Sequence, residues 1–237
     1  MYIVLVSSVG SCICFAQCKK YAYYRKYTLD YKMNFSILLH KYYTIYLMYQ
    51  LYLDAVSQSW NISLLQDGII LHNQSISLSG NESSQLWNLV FWFLDKHSIV
   101  LSEIDHVFLI HGPGSFTGIR CICLLFNTLA YIYPHLTLTP ISFFDIYQNY
   151  PIIKQSSRRD VFVKKQKDDI IHIIPVDELL SYLDFHSEVY GSVDLGLGDF
   201  RYLKLIQDYD VQRLIRSTEK KNLRFVTPLY IKNPNIT

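Results

Sequence analysis

HVFLIHGPGSFTGIR, residues 106–120, is the stretch whose reading decides the fold. Its first part, His106–His111, is a short apolar run with β-formers and reads as a strand. The loop Gly112-Pro113-Gly114-Ser115-Phe116-Thr117-Gly118 follows, and an apolar helix continues from Ile119 to about Tyr133, where Pro134 stops it. Gly112 and Gly114 open backbone angles closed to other residues, and Pro113 stiffens the corner between them. Ser115 and Thr117 offer hydroxyls to the first free N–H groups of the helix, and Gly118 lets the helix start pack against a neighbouring backbone. A strand, a glycine-rich loop and a helix also make a phosphate cradle. The pattern G-x-x-x-x-G-K-[ST] counted from Gly112 needs Gly at 117 and Lys at 118, where this chain has Thr117 and Gly118. G-x-G-x-x-G fails as well, because Thr117 holds its last place. The loop therefore reads as a tight structural turn.

Working outward, Tyr49–Val56 and Trp60–Leu65 read as strands, and Ile69–Leu78 as a third behind the hairpin corner Asp67-Gly68. Ser79-Gly80-Asn81 breaks the chain, with Asn81 or Ser83 as cap for a helix from about Glu82 to His97. Residues 86–94 of that helix, LWNLVFWFL, are apolar almost all round. Such a helix is either buried within its own domain or sits with one face on the sheet and the other against a partner protein. Downstream of the central helix, Leu136–Thr139 reads as a strand and Ile141–Tyr147 as a short helix. The order βββαβαβα is that of a ribonuclease-H-like lobe, the unit of the actin/Hsp70 architecture, in the α/β class. Residues 48–150 are assigned to it. Residues 151–237 are patchier: strands at Val161–Lys165, Ile170–Ile174 and Glu188–Val193, a short helix at Val176–Leu183, and a helix or strand at Phe200–Gln207. An extended tail follows at Thr227–Lys232. This predicts a reduced second lobe.

Residues 1–47 differ from the rest. They hold six Lys/Arg and one acid, leaving sixteen against nineteen in the remainder. A mildly acidic body lacks the broad basic face of a free-standing nucleic-acid binder, so any RNA contact is expected to be indirect. The apolar stretch Met1–Cys18 is short for a membrane helix, and its basic residues follow the apolar run where a signal peptide needs them ahead. A weak membrane anchor is one reading. The other, preferred here, is an atypical extension that is not translated, or is disordered or helical, with the functional protein starting at Met33 or Met48. Cys12, Cys14 and Cys18 lie in this part. Cys121 and Cys123 are two apart on a helix, hence on different faces, and read as small hydrophobes in a reducing cytoplasm.

GPGSFTG followed by a hydrophobe and Arg120 resembles the hallmark loop of the TsaB (YeaZ) family. Val100-Leu101-Ser102-Glu103-Ile104-Asp105 is similar to the family's segment before that strand. Ser157-Arg158-Arg159-Asp160-Val161-Phe162-Val163 resembles its ARRGEVYV stretch, and Pro228-Leu229-Tyr230-Ile231-Lys232 its closing PLYLR. The chain departs from the family at Asp54-Ala55-Val56, where Asp-Thr-Ser is usual, and at Glu82-Ser83-Ser84, where HSE is usual. The resemblance implies a non-catalytic subunit that pairs with TsaD, with TsaE in a larger assembly. Together these form N6-threonylcarbamoyladenosine at position 37 of tRNAs reading ANN codons. It implies docking through the first-lobe helices, for which Trp87, Phe91, Leu94, Leu125 and Leu129 are the expected contacts, and a homodimer in the absence of TsaD.

No catalytic residue, metal site or cofactor is expected. TsaD-like chemistry uses His-x-x-x-His on one helix face, and no such pair occurs. His106 and His111 are five apart across a strand and its end. His40, His72, His97, His135, His172 and His186 are scattered. Ser115 lacks the G-x-S-x-G elbow of a hydrolase nucleophile. Asp54 ends the first strand where actin-like enzymes carry a metal- or phosphate-facing acid, but one carboxylate carries little weight. The glycines of Gly191–Gly198 suit loops as well as an adenosine site. A divergent actin-like ATPase or peptidase acting alone is the alternative.

Overall fold

The structure is a computed structural model that describes residues 3–8, 11–16, 48–57, 59–76, 82–157, 159–183, 188–192 and 204–232. The chain forms two compact units, Met1–Leu47 and Met48–Thr237. In the first, β1 (Ile3–Ser8) and β2 (Ser11–Ala16) pair antiparallel from Ile3 opposite Ala16 to Ser8 opposite Ser11. The described backbone of this extension is a hairpin and not a helix. Val4, Val6, Ile13 and Phe15 give it β-forming composition.

The second unit contains two five-stranded mixed sheets. The first joins β3 (Tyr49–Asp54), β4 (Trp60–Gln66), β5 (Ile69–Ile76), β6 (Ile104–Ile110) and β7 (Thr137–Ile141) in the order β5-β4-β3-β6-β7. β3 to β5 are an antiparallel meander, whose last corner has both Asp67 and Gly68 in the left-handed region as Asp-Gly hairpins require. β6 runs parallel to β3, and β7 parallel to β6. Helix α1 (Glu82–Lys96) leads from β5 to β6, and α2 (Phe116–Ile132) from β6 to its parallel neighbour β7. This is the ribonuclease-H-like lobe of the actin/Hsp70 architecture that the element order predicts.

Both helices cover one face of this sheet. Leu86, Val90, Phe93 and Leu94 of α1 join Ile122, Cys123, Phe126, Leu129 and Ala130 of α2 over Leu51, Leu53, Ile62, Val107 and Leu109. The spacings of three and four residues put each set on one helical stripe. Each large side chain here contributes about 1.5–3 kcal/mol of burial. The opposite face carries Tyr52, Leu65, Phe108 and Ile110, which meet the second sheet in a shared core.

That second sheet joins β8 (Ile152–Gln155), β9 (Asp160–Lys164), β10 (His172–Pro175), β11 (Glu188–Ser192) and β12 (Lys204–Ile206) in the order β10-β9-β8-β11-β12. β8 to β10 are again an antiparallel meander, with β11 parallel to β8 and β12 parallel to β11. The expected reduction does not reach the sheet, which repeats the first lobe's wiring in full. Among the described residues reduction falls on the helix between β10 and β11: α3 (Leu179–Tyr182) is one turn, preceded by a 3-10 turn at Val176–Glu178. α4 (Val211–Ser217), capped by the Asp210 carboxylate on the Arg213 N–H, packs Val211, Leu214 and Ile215 into the shared core.

The helix expected at Ile141–Tyr147 is only a 3-10 turn at Phe143–Asp145. Phe143, Phe144, Ile146 and Tyr147 are all buried between the sheets, so burial on every side overrides helical continuation.

Candidate functional site

The glycine loop is a bend fastened on two sides by the chain's own backbone. The Gly112 carbonyl accepts from the Phe143 N–H at 2.8 Å. The His111 carbonyl accepts from the Leu229 N–H at 2.9 Å, and the His111 ring bonds the Thr227 carbonyl through Nδ1. Gly112 has φ +130, and a Cβ there would lie 2.6 Å from the Leu229 carbonyl oxygen. Only glycine fits both the angle and the approach. Gly114 faces Val56, whose Cγ1 would be 2.4 Å from an added Cβ. Gly118 was expected to be the close-approach glycine, yet a Cβ there meets nothing nearer than 3.5 Å. The tight contacts are at Gly112 and Gly114, next to the strand end.

Pro113 is buried after a cis peptide bond. Ser115 caps α2 by accepting the Gly118 N–H at 3.4 Å. Thr117, expected to share the capping, sits exposed within the first turn. The Phe116 ring lies between the Arg120 guanidinium, 4.4 Å from its centroid, and the Tyr230 ring at 4.9 Å. The motif is thus clamped to the tail that supplies Tyr230. Higher up the tail, Asn127 exchanges side-chain hydrogen bonds with the Val226 backbone, and the Arg224 guanidinium donates to carbonyls of Ala130, Tyr133, Pro134 and Leu136. These occupy the carbonyls that a helix C-terminus leaves free.

The five expected docking residues separate into two groups. Trp87 is exposed and Phe91 half-buried, their rings 4.4 Å apart on the outside of α1. Leu94, Leu125 and Leu129 are 3 %, 8 % and 2 % exposed and belong to the lobe's own core, so they cannot meet a partner. An all-apolar segment conceals which stripe faces the sheet; the buried partners Leu86, Val90 and Phe93 decide it. The exposed apolar residues on these helices are instead Trp87, Trp92, Leu124, Tyr131 and Ile132. On α2, Arg120, Leu124, Thr128 and Tyr131 form a stripe at spacings of three and four. The stripe was legible in the sequence as the complement of Ile119, Ile122, Cys123, Phe126 and Ala130. Leu124 is 70 % and Tyr131 85 % exposed. Two Trp, a Leu, a Tyr and an Ile in water on two adjacent helices form a surface that a monomer seldom keeps bare.

Asp54 does not face an open site. It is fully buried and accepts hydrogen bonds from the N–H groups of Val56 and Ser57, the Ser57 hydroxyl and the Tyr209 hydroxyl. Beside it Lys154, only 7 % exposed, donates to the Val56 carbonyl at 2.6 Å. Burial pushes its ammonium down to about 8, against the opposing pull of Asp54. Among the described residues no group of three or more His, Cys, Asp or Glu is placed to hold a metal. The His106 ring is buried between Thr137 and Thr139, and desolvation, with Lys220 nearby, lowers it to about 3. The Cys123 thiol is pushed up to about 12 by burial, which makes it inert. Arg158, Gly196 and Gly198 lie outside the described residues, as do Asn81 and Cys18. No helix among the described residues is long and apolar enough to cross a membrane.

No protein-family model matches the chain, and no curated protein aligns with it significantly. Among solved structures it is similar to an uncharacterized protein with similarity to peptidase YeaZ from Pseudomonas aeruginosa. The TM-score is 0.56 at 18 % identity, over 78 % of this chain and 100 % of that one. YeaZ from Pseudomonas aeruginosa also matches, at 19 % identity, over 68 % of this chain and 82 % of that one, with a TM-score of 0.48. The first likeness shows the two-lobed actin/Hsp70-like fold.

Proposed function

We propose that the chain is a non-catalytic, TsaB-type subunit that docks a TsaD-like partner through the outer face of α1 and α2. In this role it supports formation of N6-threonylcarbamoyladenosine at position 37 of tRNAs reading ANN codons, with TsaE in the larger assembly and tRNA held by other subunits. The observation that carries the reading is the exposed apolar strip Trp87, Trp92, Leu124, Tyr131 and Ile132 on helices whose inner faces already fill the lobe's core. Burying such a strip removes apolar area from water at about 25 cal/mol per Å². Aromatic anchors of this kind are common at the centres of interfaces.

Three features support the absence of chemistry. The bend is closed at Gly112 by Leu229 and at Gly114 by Val56, the Ser115 hydroxyl serves as a helix cap, and the Asp54 carboxylate is occupied by internal donors. The actin-like ATPase or peptidase alternative needs at least one of these groups free.

The test is co-purification of the full chain with the TsaD of its own host, comparing wild type with Leu124→Asp and Trp87→Asp. Both positions are exposed, so circular dichroism should be unchanged while capture falls at least tenfold. Capture equal to wild type in both variants would refute the docking face. ATP hydrolysis by the isolated chain would favour the alternative.

A further inference from the structure

The polar cluster between the two sheets has no part in docking. Three separated segments build it: Tyr52 and Asp54 on β3, Lys154 on β8, and Tyr209 just before α4. Tyr209 donates its one hydroxyl proton to Asp54 Oδ2 at 2.8 Å, so the Tyr52 hydroxyl, 2.7 Å away, donates to Tyr209. The Val56 peptide is gripped from both ends, with its N–H on Asp54 at 2.9 Å and its carbonyl on the Lys154 ammonium at 2.6 Å. The ammonium also stands 4.9 Å from the centroid of the Phe143 ring, a cation–π contact in a desolvated setting. Tyr52 and Asp54 are fully buried and Lys154 nearly so.

A carboxylate and an ammonium buried this way cost more to leave half-broken than to remove together. We propose that Asp54, Lys154, Tyr52 and Tyr209 form a lock that holds the two sheets closed on each other with no ligand between them, so that breaking one member opens the junction while each sheet stays folded. In two-lobed proteins a ligand bound between the lobes commonly drives closure. Here Tyr209, itself held by Tyr52, donates to Asp54, and the Lys154 ammonium anchors the Val56 carbonyl beside it, so the chain's own side chains take the places that such a ligand would otherwise fill. The lock also explains why a charged residue occupies the central strand of the second sheet.

The test is hydrogen exchange on the full chain for wild type, Asp54→Asn, Lys154→Met, the double variant and Tyr209→Phe. A lock requires the amides of 55–57 and 207–210, just beyond the strand ends, to exchange at least about tenfold faster in Asp54→Asn and in Lys154→Met. Peptides over 104–110 and 160–164 should stay as protected as in wild type. The double variant should exchange no faster than either single one, because removing both charges leaves none stranded. Tyr209→Phe, the mildest change, should give the same local pattern at smaller amplitude. Equal acceleration through 104–110 would reveal general destabilisation and overturn the lock. So would a double variant whose acceleration is the product of the two singles, or Tyr209→Phe exchanging like wild type.

Discussion

The sheets β3–β7 and β8–β12 have the same wiring, a three-strand antiparallel meander extended by two parallel strands on the side of its first strand. They differ in what covers them. The first carries two helices of 15 and 17 residues, whose inner stripes fill its core and whose outer stripes leave large apolar side chains in water. Among the described residues the second carries the one turn of α3 on its outer core, the small group Ile153, Val161, Val163, Leu179, Leu183 and Val189, while α4 packs into the shared core. The comparison teaches that both sheets supply the shared core alike, whereas among the described residues only the first is covered by helices long enough to present an outer face. Strand length follows the same division. β12 has three residues and β8 four, so the second sheet depends on close strand contacts where the first depends on helix burial.

Gly191→Ala tests that dependence most severely. Gly191 has φ +142, and a Cβ there would sit 1.8 Å from the Ile153 carbonyl oxygen, on the neighbouring strand. Backbone cannot yield as a flexible side chain can, so β11 must leave β8. The expected cost is roughly 3–5 kcal/mol by urea unfolding. If the two lobes differ as argued, exchange accelerates first over 188–192 and 152–155. A cost under about 1 kcal/mol would mean that the second sheet tolerates a shifted strand and contributes little.

Acid strikes the first lobe instead. His106 is fully buried on β6 and bonded through both ring nitrogens to Thr137 and Thr139 on β7. Burial, aided by Lys220, lowers its pKa from 6.5 to about 3. Between those values the unfolded chain binds a proton that the folded chain refuses, so stability falls as pH drops from 6.5 toward 3 and is whole above 6.5. From pH 7 to pH 4 this one ring accounts for a loss of about 3 kcal/mol. His106→Asn should flatten the stability profile over that range by a similar amount; an unchanged slope would show that other groups govern the acid limb.

How much of this was legible follows from residue types. The first lobe was read nearly strand for strand because its strands are apolar and bounded by Asp67-Gly68, Gly112-Pro113 and Pro134. β8 was missed: IIKQ is four residues, too short for a period, and its Lys154 reads as a surface residue until Asp54 and Val56 are brought beside it. α4 was missed despite its Asp210 cap and apolar residues at 211, 214 and 215, a pattern that sequence does show. On the candidate site, glycine chemistry located the bend, but only tertiary contact shows that Leu229 and Val56 close on Gly112 and Gly114. Of the five expected docking residues, Trp87 and Phe91 lie on the outer side of α1 and three lie in the core, for a simple reason. In an all-apolar helix hydrophobicity no longer marks the buried side, and Leu94, Leu125 and Leu129 fell on the wrong stripe.

The smallest effect concerns the tail that ties the long helix in place. Arg224 gathers carbonyls from the last turn of α2 and the bend beyond it, and its backbone neighbour Leu223 pairs with Leu138 at the edge of β7. A planar guanidinium can serve several carbonyls at once, and its charge is favourable at a helix C-terminus. The side chain is largely exposed, so Arg224→Ala should cost only about 1 kcal/mol, a drop in Tm of about 2–4 °C. Exchange should rise over 130–136 while 152–164 is untouched, because the carbonyls that Arg224 holds all lie at 130–136. Arg224→Lys keeps the charge but not the fork, and should recover less than half of the loss. Full recovery by lysine would mean that charge alone holds the helix end, and an effect in the second lobe would break the contrast between the two sheets.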